Sequence, residues 1–280
     1  MPIITITSDW NRNDYYLPSL KGRLFSLYHA CKEADKGWCD NFFNVVDISN
    51  EVRHFDVYEA CFILKNSYSH FPDGSIHIIA VESEPKEGNA MVVVKKEGHF
   101  FIAPNDGRFA LLFDSVDDVE AFTLSGYTKE EIFLSGFSAL SLFEEGVKSI
   151  LDGTYVQLER VSLKGAVSEC AVVTEERIVG RVVYIDSYGN AITNITKESF
   201  FKVATSAMVR GKKDISYVIY VQGPYLKLES ISEGYWDVEP GEEVAFFNSL
   251  ELLELAINSG NFAAVEGIDT TAEDLIKFTF

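Results

Sequence analysis

Hydrophobic and polar positions change period near the middle of the chain. The first half interleaves short β-type runs with helical stripes, whereas the second half carries β-type runs separated by polar turns. Residues 2–8 (PIITITS) read as a strand, followed by a polar turn from Asp9 to Asp14. In residues 17–33, Leu20, Leu24, Leu27 and Cys31 recur at helical spacing. Residues 43–48 read as a second strand and residues 56–68 as a second helix, with Val57, Ala60, Cys61 and Leu64 on one face. Residues 75–81 (SIHIIAV) form a nearly continuous apolar run, as in a strand covered on both faces. Residues 91–94 and 99–103 read as a hairpin. The turn signal Pro104-Asn105-Asp106-Gly107 follows, and residues 108–113 are expected to form another strand. Residues 128–152 contain a helical stripe with small residues suited to close packing, and Gly153 is its expected stop.

From about residue 156 the helical period is lost. Runs at 177–185, 191–195, 216–221, 226–228, 243–247 and 252–257 are short, extended and bounded by turn residues, which suggests a small barrel or sandwich. The fold class expected is an α/β N-terminal domain with a central, mostly parallel sheet, then an all-β, barrel-like C-terminal domain. The division is expected at 1–155 and 156–280, with the boundary within 153–175.

The chain has 280 residues, 47% of them hydrophobic, enough for one large or two moderate cores. Its formal net charge of -19 repels phosphate backbones and anionic lipid, so neither nucleic acid nor a membrane is an expected partner. No apolar run approaches the roughly 20 residues that span a bilayer. The start, MPIITITSDW, lacks the features of a secretory signal, so a cytoplasmic location is expected. Cys31, Cys39, Cys61 and Cys170 match no zinc or redox spacing. The five histidines form no HxH or HExxH arrangement, so no metal and no cofactor are expected.

Two places carry candidate chemistry. Asp9 stands at the C-terminal end of the first strand, where open α/β sheets bind ligands, and a carboxylate there suits a ribose diol or a helix cap. The stretch GRVVYIDSYGNAITNI, residues 180–195, holds a turn with Asp186, Tyr188 and Asn190 within five residues. A ring can stack on a flat base and an amide offers paired donor and acceptor atoms. The same turn also serves as an ordinary hairpin connection.

Several stretches together resemble one family. They are ITSDWNRNDYY with Leu20-Lys21-Gly22, Val46-Asp47-Ile48-Ser49, FPDGSIH at 71–77, APNDG at 103–107, the 180–195 stretch, and Asn248-Ser249 with AINSGN at 256–261. In this order the chain resembles the S-adenosylmethionine hydroxide adenosyltransferases (adenosine-forming S-adenosylmethionine hydrolases), relatives of the fluorinase and chlorinase. The resemblance implies a homotrimer with sites between subunits. It also implies S-adenosylmethionine or adenosine as ligand, and attack of water or hydroxide on ribose C5′ to give adenosine and methionine. By resemblance Asp9 would hold the ribose hydroxyls, Asn190 would read the adenine edge, and Tyr188 and Tyr235 would flank the ring. Asp186, Asn248, Ser249, Glu254 and Ile257 match further positions of the adenosine pocket, Ile257 through its backbone.

The family's water-activating Asp-Arg-His set is altered here. The loop of type DPGVGTxR reads Glu82-Ser83-Glu84-Pro85-Lys86-Glu87-Gly88-Asn89, which puts Glu82 at the Asp and Asn89 at the Arg. The TFHGRD-type segment places Thr128 at the His, and no histidine follows His99. The APNDG turn also departs from the family's usual Asp-before-Asn order. Catalytic candidates are therefore Glu82, Asn89 and Thr128. The alternatives are a non-catalytic binder of S-adenosylmethionine or adenosine, and adenosyl transfer to another small nucleophile.

Overall fold

The computed structural model describes residues 3–33, 44–113, 115–124, 137–166, 170–209, 217–221, 226–270 and 275–279. The chain divides into two compact units, Met1–Val167 and Ser168–Phe280.

In the first unit, β1 (Ile3–Ser8), α1 (Tyr16–Glu33), β2 (Asn44–Ser49), α2 (Val57–Lys65) and β3 (Ile76–Ala80) come first. The hairpin β4 (Met91–Lys96) and β5 (His99–Pro104) follows, then α3 (Arg108–Leu112), β6 (Glu120–Thr123), α4 (Ala139–Leu151) and β7 (Glu159–Arg160). The sheet order is β2-β1-β3-β5-β4-β6-β7. The pairs β1/β2, β1/β3 and β3/β5 are parallel, and β4, β6 and β7 extend the sheet antiparallel.

The period of two along each strand explains its two covered faces. Ile4, Ile6, Ile76 and Ile78 join Leu20 and Leu24 of α1 and Phe143 and Val147 of α4 in one core. Ile79, Val81 and Phe101 join Ala60 and Leu64 of α2 and Phe109 of α3 in another. Gly146 lets α4 approach the sheet: a Cβ there would lie 2.9 Å from Ile102 Cδ1. Gly153, at φ 69°, ends α4 as expected.

Residues 108–113, expected as a strand, instead form α3. The cause is local: Gly107 takes φ 109°, the Asp106 carboxylate accepts the Arg108 N–H at 3.2 Å, and Ala110 N–H donates to Gly107 O at 2.9 Å. The buried positions Arg108, Phe109 and Leu112 then share one helical face.

The second unit holds β8 (Val172–Val173), β9 (Arg177–Ile185), β10 (Ala191–Thr196), α5 (Lys197–Val209), β11 (Val218–Val221) and β12 (Leu226–Leu228). It continues with β13 (Glu243–Phe247), β14 (Leu252–Ile257), α6 (Phe262–Glu266) and β15 (Leu275–Thr279). Its antiparallel sheet runs β12-β11-β15-β9-β10-β14-β13, with β8 beside β9. Ser232 bridges to Phe246, so the chain beyond β12 returns to β13 and the sheet is nearly a closed barrel. The helix α5 was not foreseen. Its signals are Thr196 Oγ1 accepting the Ser199 N–H at 3.1 Å and the buried stripe Phe200, Val203, Ala204 and Ala207.

Candidate functional site

The order β2-β1-β3 makes the crevice between β1 and β3 a topological switch point, where successive connections leave toward opposite sides. Asp9 follows β1 directly and is buried. Its Oδ2 accepts the Phe55 N–H at 2.9 Å from the chain beyond β2. That chain is laced to the end of β1: Asn50 Oδ1 accepts from Ser8 Oγ at 2.7 Å, and Asn50 O accepts the Asn11 N–H at 2.9 Å. Phe55 has φ 64° and is 74% exposed, so its strained backbone serves Asp9 while its ring faces solvent. Sequence reasoning missed Phe55, because left-handed backbone at a phenylalanine leaves no composition signal.

At the end of β3, Glu82 and Asn89 line one cleft of about 360 Å³, together with Tyr58, Glu84, Lys86, Asp106, Arg108 and Leu111. Glu82 takes φ 43°, and its carboxylate pairs with Lys86. Asn89 Oδ1 accepts from Lys164 Nζ at 2.6 Å. Glu84 caps α4: its Oε1 accepts from Ser138 Oγ at 2.6 Å and its Oε2 from the Ala139 N–H at 3.2 Å. Between them, Ser83 Oγ is buried without a hydrogen-bond partner among the described residues. Ser83 does not line the cleft. Thr128 lies outside the described residues.

The second unit gathers its predicted residues around the β9–β10 turn. Gly189, at φ 85°, donates its N–H to Asp186 O at 3.0 Å. Asp186 Oδ1 accepts the N–H groups of Tyr188 and Asn190, each at 2.9 Å. Asn190 Nδ2 donates to Asp186 Oδ2 at 3.0 Å and to Tyr235 OH at 2.9 Å. Tyr235 OH donates in turn to Glu254 Oε1, and Glu254 Oε2 accepts from Asn248 Nδ2 at 3.0 Å. Asn248 Oδ1 accepts the Leu250 N–H at 2.9 Å, which shapes the turn that presents Ser249. Five predicted side chains thus form one continuous network.

Burial, then the hydrogen bond to Glu254, raises the Tyr235 phenol well above its ordinary range, so it stays a donor. Both Asn190 amide hydrogens are committed, which leaves Oδ1 as its acceptor. Tyr188 is 75% exposed with its ring outward. The Tyr235 ring packs edge-on against Phe246 at 4.8 Å. Ser249 is exposed. Ile257 is buried, and its carbonyl accepts the Gly260 N–H at 3.0 Å.

The family profile described as SAM hydroxide adenosyltransferase N-terminal domain matches residues 4–157, and that for the C-terminal domain matches residues 180–273. The (R)-S-adenosyl-L-methionine hydrolase of Methanocaldococcus jannaschii is 25% identical over 226 residues, 78% of each chain. An uncharacterized conserved protein from Thermotoga maritima has a similar fold, with a TM-score of 0.74 and 19% identity over 100% of both chains. A conserved hypothetical protein from Thermus thermophilus gives a TM-score of 0.68 and 21% identity over 99% of this chain and 100% of the other.

Proposed function

The chain belongs to the SAM hydroxide adenosyltransferase family, and from that premise we propose that it hydrolyses S-adenosylmethionine to adenosine and methionine. The hydrolase from Methanocaldococcus jannaschii supports the reaction class. The observation that carries the reading is the network Asp186–Asn190–Tyr235–Glu254–Asn248, which fixes polar groups before any ligand arrives. In this reading Asn190 Oδ1 accepts from the adenine exocyclic amine, since its own hydrogens are already donated. Tyr188 stacks on the base. Tyr235 and Glu254 hold Asn190 and Asn248 in place, and Ser249 and the Ile257 carbonyl complete the adenosine pocket. Asp9 Oδ1 takes the ribose hydroxyls while Oδ2 stays with the Phe55 N–H.

Glu82 then orients a water in this cleft. The water oxygen bonds to C5′, the C5′–S bond breaks, its electron pair passes to sulfur, and the proton leaves through the carboxylate. The sulfonium is already a good leaving group, so positioning supplies much of the rate. Asn89 lies beside this step, held by Lys164, and Thr128 belongs to the same proposed set.

The reading includes a homotrimer with adenosine contacts supplied by different subunits, and a cytoplasmic location. Among the described residues, no helix is long and apolar enough to cross a membrane.

Titration calorimetry with S-adenosylmethionine and adenosine, followed by chromatography of the same samples, tests it. Heat with appearance of adenosine and methionine is the expected result. Heat with intact ligand would favour a binder without turnover, a reading that the Asn89 amide at the arginine position and the lack of histidine after His99 support. No heat with either ligand rejects both.

A further inference from the structure

Glu82 occupies left-handed backbone, at φ 43°. For a residue with a side chain that conformation is strained. It persists only where the surroundings over-determine it. Among the described residues, two polar contacts meet Glu82. Its carboxylate pairs with Lys86, but Lys86 is exposed and Glu82 only half-buried, so that pair contributes little. The other contact comes from the interior. Arg108 Nη1 donates to Val81 O at 2.9 Å and Nη2 to Glu82 O at 3.3 Å.

The Arg108 side chain is 0% exposed, and a buried guanidinium persists only when paired and hydrogen-bonded. Asp106 supplies the pair: Nε donates to Oδ1 at 2.9 Å and Nη2 to Oδ2 at 2.6 Å. Burial alone would raise the Asp106 carboxyl, but the hydrogen bonds and charge of Arg108 outweigh it and hold it below the usual range. Gly107, at φ 109°, turns the chain between the two, and a Cβ there would stand 3.0 Å from Gly165 O. The Asn-before-Asp order of this turn gains a use. Asn105 Oδ1 accepts the Lys164 N–H at 2.9 Å and Asn105 Nδ2 donates to Ser162 O at 3.0 Å, while Asp106 takes Arg108.

We propose that Arg108 is a positioning residue of this site, fixing through the carbonyls of Val81 and Glu82 the backbone that presents the Glu82 carboxylate to the reacting water. It rests on the hydrolytic reading for its catalytic consequence, and on geometry alone for the hold on Glu82. Arg108→Met and Arg108→Lys test it, with turnover, adenosine titration, melting and backbone hydrogen exchange over residues 82–88 measured together. Arg108→Met is expected to lower kcat by about 10–100-fold, with KM and adenosine affinity within about twofold. Exchange over residues 82–88 should quicken by about tenfold, a local loss of protection. Arg108→Lys keeps one carbonyl contact and should recover part of both. A folded Arg108→Met with kcat and exchange unchanged overturns the proposal. If that variant does not fold, Arg108→Lys decides it: intermediate kcat and exchange support the proposal, and wild-type values of both overturn it. Should the wild type release no methionine, the hydrolytic reading fails by itself, and exchange over residues 82–88 still decides whether Arg108 holds Glu82.

Discussion

At the scale of single residues, Asn190 shows how neighbours decide what an amide can do. Its two hydrogens go to Asp186 and Tyr235, so its remaining offer to a ligand is an acceptor. Tyr235→Phe removes the hydroxyl from the middle of that chain and strands one oxygen of the buried Glu254 carboxylate. A loss of about 1–3 kcal/mol in stability is expected, with adenosine affinity about tenfold weaker, read by urea denaturation and calorimetry. Gly189 is constrained twice: its φ is 85°, and a Cβ would collide with the Asn261 carboxamide. Gly189→Ala should therefore cost more than about 1 kcal/mol and weaken adenosine binding at once, because the turn and the α6 cap move together. Unchanged binding by a destabilised Gly189→Ala protein would separate the turn from the ligand site. Asp9→Ala should raise the adenosine Kd by about 10-fold or more, since the proposed ribose grip and the Phe55 contact are lost together.

At the scale of elements, β1, β3 and β5 are tied by a buried polar string. Thr5 Oγ1 and His77 Nδ1 are hydrogen-bonded at 2.7 Å, and His77 Nε2 meets His99 Nδ1 at 3.1 Å. Burial, and then the nearness of His99, lowers the His77 pKa to about 3. His99 is also lowered by burial, against the opposing pull of Asp73 and Glu97. A histidine kept neutral in the folded chain titrates first in the unfolded chain. Stability from this source is thus complete above about pH 6.5 and falls as pH drops from there toward 3, by up to about 1.4 kcal/mol per pH unit. Urea midpoints at pH 7.5 and 5 should differ more in the wild type than in His77→Asn, and equal differences would remove His77 from the account. Helix α3 carries the opposite lesson about reading elements. Its apolar run suited a strand, but Asp106 and Gly107 start a helix before it, and turn chemistry outweighed the composition of five residues.

At the scale of the whole molecule, the proposed homotrimer predicts a sedimenting mass three times that of the chain, unchanged at high salt if the contacts are mainly apolar. A monomer that still binds adenosine would reject that assembly. The elements from β1 to β5 were legible, with strands such as SIHIIAV marked by continuous apolar runs because they are buried on both faces, whereas α3, β6 and β7 were not. The barrel strands 177–185, 226–228, 243–247 and 252–257 were legible because polar turns bound them on either side. Motif order across the chain was enough to suggest the family, and the family profiles show membership. Other features needed the fold. Arg108 and Val81 are 27 positions apart in sequence, and Asn190 and Tyr235 are 45 apart, so no local pattern joins them. The sequence by itself determined which segments could be strands and helices, because period and turn chemistry are local. Only the tertiary structure decided which buried charge holds which carbonyl and which amide hydrogens are already spent, because hydrogen bonds are chosen among groups that folding alone brings together.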